Sequence, residues 1–116
     1  MGLMALMTVQ SGVALKAKLF RGLADPARLS ILEALSGGER CVSELVEETG
    51  LPQSTVSMHL GCLRDCGLVE SRREGRRVYY RHCCGKVDDL LRAAERVLAD
   101  AAEQVYACTR YGADAA

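Results

Sequence analysis

The chain contains no tryptophan, a single phenylalanine (Phe20) and only two prolines among its 116 residues. A core without large aromatic rings must be built from Leu, Val, Ile, Ala and Met, which suits helices packed by aliphatic ridges. Formal net charge is zero, so the molecule as a whole has no long-range pull toward a polyanion. No apolar run is long enough to cross a bilayer. The stretch from Met1 to Val9 is apolar but has no basic residue ahead of it, since Lys16 and Lys18 come later; this argues against a secretory signal. Leu6 stands where N-myristoylation needs Ser or Thr. The expected compartment is a reducing cytoplasm, where six cysteines favour thiolate metal or redox chemistry over a disulfide framework. The length fits one domain with a modest core, a size that often gains stability by oligomerising.

Charge is unevenly placed. Arg72, Arg73, Arg76, Arg77 and Arg81 stand against Glu74 alone, whereas Glu39, Glu44, Glu47 and Glu48 outweigh Arg40. A local basic patch on a neutral protein is what phosphate contact requires, although a solvated hairpin carries the same charges. Along the chain, residues 1–12 lack periodicity and are expected to form a flexible arm. Val13 to Leu23 is predicted helical, with Leu15, Leu19, Phe20 and Leu23 on one stripe. Asp25-Pro26 combines an N-cap with proline at the first helical position, and Gly37-Gly38 ends that helix. A short helix from Val42 to Glu48 follows, then one opened by Pro52 and closed by Gly67. Leu68 to Arg73 and Arg77 to Arg81 flank Glu74-Gly75-Arg76 as a β-hairpin. Val87 to Cys108 is a long helix with an unbroken apolar stripe through Leu91, Leu98 and Val105. This order predicts a mainly α winged helix-turn-helix domain over residues 13–108, with a tail at 109–116. The terminal helices are the expected homodimer interface, a monomeric packing of the last helix being the alternative.

At 100° per residue, Val56, Leu60 and Leu63 mark the buried side of the Pro52 helix. Ser54, Ser57 and Met58 fall opposite, and Gln53 lies near the N-terminal edge. Gln pairs with adenine, and Ser or Thr bonds bases or phosphates, so Gln53, Ser54, Thr55, Ser57, Met58 and His59 are the candidate base-reading residues. Arg72, Arg73, Arg76 and Arg77 at the hairpin are the candidate phosphate contacts. Of Tyr79 and Tyr80, one should pack inward and the other present its hydroxyl outward. His59 and His82 fit hydrogen-bonding roles better than metal ligation.

Four segments carry a family resemblance: Asp25-Pro26-Ala27-Arg28-Leu29-Ser30-Ile31-Leu32, Ser54-Thr55-Val56-Ser57-Met58-His59-Leu60, Gly67-Leu68-Val69 and Arg73-Glu74-Gly75-Arg76. Together they resemble the ArsR/SmtB family of metal-responsive repressors. The resemblance implies a homodimer that binds operator DNA and releases it when an effector binds. Cys41-Val42-Ser43 matches the Cys-Val-Cys site of some members but lacks one thiolate. The last helix has Asp88, Asp89 and Asp100 but no histidine, which argues against the His/Asp site of others. Gly61-Cys62-Leu63-Arg64-Asp65-Cys66-Gly67-Leu68-Val69 is most similar to the CmtR-type cadmium/lead sensors, which implies Cys62, Cys66 and a C-terminal cysteine, here Cys108, as metal ligands.

Cys62 and Cys66 at i, i+4 share one helix flank, with Cβ atoms roughly 5–6 Å apart. Two thiolates there can chelate a large soft ion, and a third completes a trigonal set. Donor softness puts Cd(II) and Pb(II) first, with As(III) and Zn(II) behind. Plain packing also accounts for Cys62, as a small hydrophobe, and for Cys108, three residues after Val105 on the apolar stripe. Cys83-Cys84 is the competing thiol pair, and Cys41 fits buried packing. A redox-sensing repressor using Cys62 or Cys83-Cys84, or one sensing As(III), is the rival function. A thiol enzyme is disfavoured because Cys62 and Cys66 are C-x₃-C rather than C-x-x-C and no catalytic constellation of His and acid accompanies them. If the thiols tie the base-reading helix to the C-terminal region, within or across protomers, effector capture should disturb the spacing of the two reading heads.

Overall fold

The computed structural model describes residues 9–110. Five helices and three strands follow one another: α1 (Val9–Leu23), α2 (Pro26–Leu35), β1 (Arg40–Cys41), α3 (Val42–Thr49), α4 (Gln53–Asp65), β2 (Val69–Glu74), β3 (Arg77–His82) and α5 (Gly85–Ala107). α1 begins four residues before Val13, because Gly12 costs a helix only about 1 kcal/mol and does not interrupt it. The remainder of the expected arm, residues 1–8, lies outside the described residues, as does most of the tail.

Local signals set the helix ends. The Asp25 carboxylate accepts the Arg28 amide at 3.1 Å, and Pro26 occupies the first helical position. Gly50 closes α3 in the left-handed region at φ 72°, which a side chain would strain. The Glu44 carboxylate accepts the Cys41 amide at 2.9 Å and so caps the start of α3. β2 and β3 pair from Val69↔His82 to Glu74↔Arg77, leaving Gly75-Arg76 as a two-residue loop. Gly75 has φ 61° and Arg76 no positive φ, the pattern of a type II′ turn with glycine first.

β1 was not evident in the sequence. Its two residues pair antiparallel with β3, Arg40 opposite Tyr80 and Cys41 opposite Tyr79, giving a sheet of order β1-β3-β2. The strand ties the start of α3 to the wing, so the hairpin is braced against the helix-turn-helix.

The core is aliphatic: Ile31, Leu32, Leu45, Val56 and Leu60 are fully enclosed, with Leu63 and Val69 nearly so. Phe20 is instead 52% exposed. Of the stripe read on α1, Leu23 alone is buried, and of that on α5 only Val87 and Leu91. Val13, Leu15, Val97, Leu98, Val105 and Tyr106 face outward. The terminal helices therefore present apolar faces that the other described residues leave uncovered. Among the described residues no helix is long and apolar enough to cross a membrane.

Candidate nucleic-acid interface and thiolate sites

α3 and α4 form the helix-turn-helix, joined through Gly50 and Leu51, with Pro52 as the N-cap of α4. Val56, Leu60 and Leu63 anchor α4 to the core. Gln53, Ser54, Ser57 and Met58 are left exposed on its first two turns, with Thr55 half-buried beside them. Met58 is 62% exposed, an apolar tip suited to a thymine methyl.

His59 does not belong with these residues. It is 7% exposed, and its Nε2 lies 4.0 Å from Asp25 Oδ1 at the start of α2. The sequence grouped it with the base-reading residues from the flank of the helix, and in the fold that flank is turned inward and buried beside the start of α2. Its Nδ1 is buried without a hydrogen-bond partner. Asp25 is held below the usual carboxylate range by the Arg28 amide, with smaller help from Ala27, Arg28 and His59 against desolvation. His82 is also occupied, its Nε2 lying 2.8 Å from the Leu32 carbonyl oxygen.

The wing arginines divide into two sets. Arg72 is clamped: Nε and Nη2 donate to Glu39, and Nη1 donates to Glu74 at 2.6 Å. Its guanidinium also lies 4.9 Å from the centre of the Tyr79 ring. These contacts raise the Arg72 pKa and lower that of Glu39. Arg81 is paired with Glu70 at 2.8 Å. Arg73 and Arg76 are exposed and have no carboxylate partner among the described residues. Arg77 reaches back, its Nη1 3.7 Å from Cys41 Sγ. Of the tyrosines, Tyr80 packs against the core while Tyr79 supports Arg72.

All six cysteines are free. Cys62 is exposed on the last turn of α4 and Cys66 at its C-cap, with the Cys66 amide bonded to the Cys62 carbonyl at 3.0 Å. Soft donors one turn apart and open to solvent suit a thiophilic ion. Cys108 is half-buried where α5 ends. Within the protomer it does not join the pair: among the described residues no three Cys, His, Asp or Glu side chains converge to hold a metal. Cys66 lines, with Leu15, Lys16 and Leu19 of α1 and with Asp65 and Leu68, an open groove of about 620 Å³.

The other thiols differ. Cys41 is buried, as expected, but has polar company: Ser43 Oγ lies 3.2 Å from its sulfur and holds its pKa down. Cys83 and Cys84 touch, Sγ to Sγ at 3.6 Å. Burial pushes the Cys83 thiol up. Cys84, the N-cap of α5, is drawn down by the Lys86 amide facing it, without a full capping hydrogen bond.

Comparison with known proteins places this architecture. The sequence pattern described as "Bacterial regulatory protein, arsR family" matches residues 25–71, from the cap of α2 into β2. The probable mercury resistance operon repressor of Streptomyces lividans is 45% identical over 94 residues, 81% of this chain and 75% of that protein. The HTH-type transcriptional regulator CmtR of Mycobacterium tuberculosis is 52% identical over 64 residues, 55% of this chain and 54% of that protein. Among solved structures, the homodimeric winged helix-turn-helix DNA-binding domain Mb0332 of Mycobacterium bovis superposes with TM-score 0.66 at 38% identity. That match covers 82% of this chain and 89% of the other. These relatives are regulators of transcription, not enzymes. A winged helix-turn-helix with a braced hairpin, matched over four-fifths of its length by such a repressor, belongs to the arsR family of bacterial regulatory proteins.

Proposed function

We propose that the protein is a metal-responsive repressor that binds operator DNA as a homodimer and leaves it when cysteine thiolates capture a soft ion. The observation that carries this reading is the position of Cys62 and Cys66, exposed on the helix whose opposite end presents Gln53, Ser54 and Ser57. Dimerisation is supported by the uncovered apolar faces of α1 and α5 and by the homodimeric Mycobacterium bovis relative. The setting that suits this chemistry is a reducing cytoplasm, where thiolates stay available to an ion.

Cys62 and Cys66 supply two ligands, and Cys108 the third, from the partner protomer. Cd(II) and Pb(II) are the effectors best suited to such a set, ahead of Zn(II) and As(III). The Streptomyces relative is named for mercury, so Hg(II) belongs in the same panel. Reading heads on a dimer must sit about 34 Å apart to enter successive major grooves. A thiolate bridge between the end of α4 and the C-terminus of α5 couples that spacing to the ion. Coupling of this kind is typically about 1–3 kcal/mol, or about 5–150-fold in affinity.

The test is a fluorescence-anisotropy titration of the reduced protein on DNA from upstream of its own gene, with and without Cd(II). Operator affinity should fall within that range in the wild type and stay unchanged in the Cys62→Ser/Cys66→Ser variant. Thiolate-to-metal absorbance in the ultraviolet should vanish in the same variant. Equal loss of affinity in both proteins would end the proposal.

A further inference from the structure

The arginines of the hairpin do not share a face. Antiparallel partners stand on the same side of a sheet, so Glu70, Arg72 and Glu74 of β2 lie on one face with Arg81, Tyr79 and Arg77 of β3. That face closes on itself. Arg81 is paired with Glu70 at 2.8 Å. Arg72 lies over the Tyr79 ring, 4.9 Å from its centre, and reaches a residue outside the hairpin: Nε and Nη2 each donate to Glu39 at 2.8 Å. Its Nη1 donates to Glu74 at 2.6 Å. All three guanidinium nitrogens are thereby engaged. Glu39 is half-buried in the connector between α2 and β1, the strand that braces the wing.

The clamp has the shape of the bond it prevents. Arginine grips carboxylate and phosphate through the same bidentate fork. A DNA phosphate can therefore take that edge of Arg72 only by displacing Glu39. An isolated surface ion pair would yield easily, but this one is bidentate, stacked on a ring and shared between two carboxylates. The displaced carboxylate would also repel the incoming phosphate, so the exchange is opposed twice. Arg73 and Arg76 are exposed and have no carboxylate partner among the described residues. They remain the available charges of the wing.

We propose that Glu39 sets an upper limit on DNA affinity by holding Arg72 off the phosphate backbone. Arg72 is then a latent contact, and the wing grips the duplex through Arg73 and Arg76. Glu39 is a positioning residue: it acts through Arg72 and touches no DNA itself. The limit matters to a regulator that must let go, because two more phosphate contacts per dimer would oppose release. The proposal rests on DNA binding by the dimer and not on the thiolates or their ion.

The test uses reduced, metal-free, full-length protein in anisotropy titrations on DNA from upstream of its own gene and on a random duplex, at several salt concentrations. Each phosphate contact contributes about 0.9 to the slope of log affinity against log salt. Glu39→Gln frees one arginine per protomer, so it should tighten binding and steepen the slope by about 1.8 on both duplexes. Glu39→Ala, which leaves no amide to hold Arg72, should do the same. Adding Arg72→Ala to either variant should return the slope to its wild-type value, a reversal that a merely structural role for Glu39 would not give. Glu39 lies outside the core, so the variants keep the fold, which circular dichroism checks. A slope left unmoved or flattened by both substitutions overturns the proposal, as does a steeper slope that survives Arg72→Ala. Wild-type protein that bound neither duplex would refute the repressor reading, and this inference with it.

Discussion

The division of the wing arginines yields a quantitative expectation for Arg76→Ala. Arg76 sits in the two-residue loop at the tip of the hairpin with no carboxylate partner among the described residues. A dimer carries two wings, so the substitution removes two phosphate contacts. Each contact to duplex DNA contributes about 0.9 to the slope of log affinity against log salt, so the slope should flatten by about 1.8. Between about 50 and about 200 mM salt, that change narrows the loss of affinity by about 12-fold. Affinity should fall alike on operator and random duplex, because phosphates carry no sequence. Arg76→Lys should restore most of the slope. Glu39→Gln, which loosens the clamp on Arg72, should steepen it. Anisotropy titrations at four or more salt concentrations measure all three. A slope unmoved by Arg76→Ala would mean that the tip does not reach the backbone.

Three further outcomes follow from packing and charge. Leu60→Ala empties a fully enclosed position and should cost about 2–5 kcal/mol, read in urea as a lower midpoint at unchanged m-value. Asp25→Ala should cost on the order of 1 kcal/mol by removing the α2 cap. Because the folded-state pKa of Asp25 is depressed, the charge-dependent part of that difference is full above the unfolded value of about 3.9. It disappears as pH falls through the folded value, which urea melts of both proteins across the acid range would follow. Leu98→Glu places a charge on the uncovered face of α5 and should yield monomers in sedimentation velocity, with operator binding lost; a stable dimer would move the interface elsewhere.

Much of the architecture could be read from residue order, since it rests on local chemistry. Asp25-Pro26 carries its own cap and first helical position, Val56, Leu60 and Leu63 declare a face, and Gly75 turns a hairpin. β1 escaped because two residues have no period; only its pairing with Tyr79 and Tyr80 makes it a strand. His59 was misplaced because it borders the inward face, and burial there depends on α2. Nothing local reveals that Arg72 is bound by Glu39, a residue 33 positions away. The spacing of Cys62 and Cys66 was legible as one helical turn. The sulfur contact of Cys83 with Cys84 was not, since adjacent side chains on an extended segment normally diverge.

The exposed apolar faces of α1 and α5 bear on how such a regulator responds to its own abundance. If the helices are covered only by a second copy, the folded unit is two chains and its melting temperature climbs with concentration. Below the dissociation constant of the pair, the population of DNA-competent species grows as the square of the amount synthesised. Silencing then sets in over a narrower range of expression than a one-chain binder would give. A handful of uncovered leucines and valines thereby becomes a threshold for shutting the gene off.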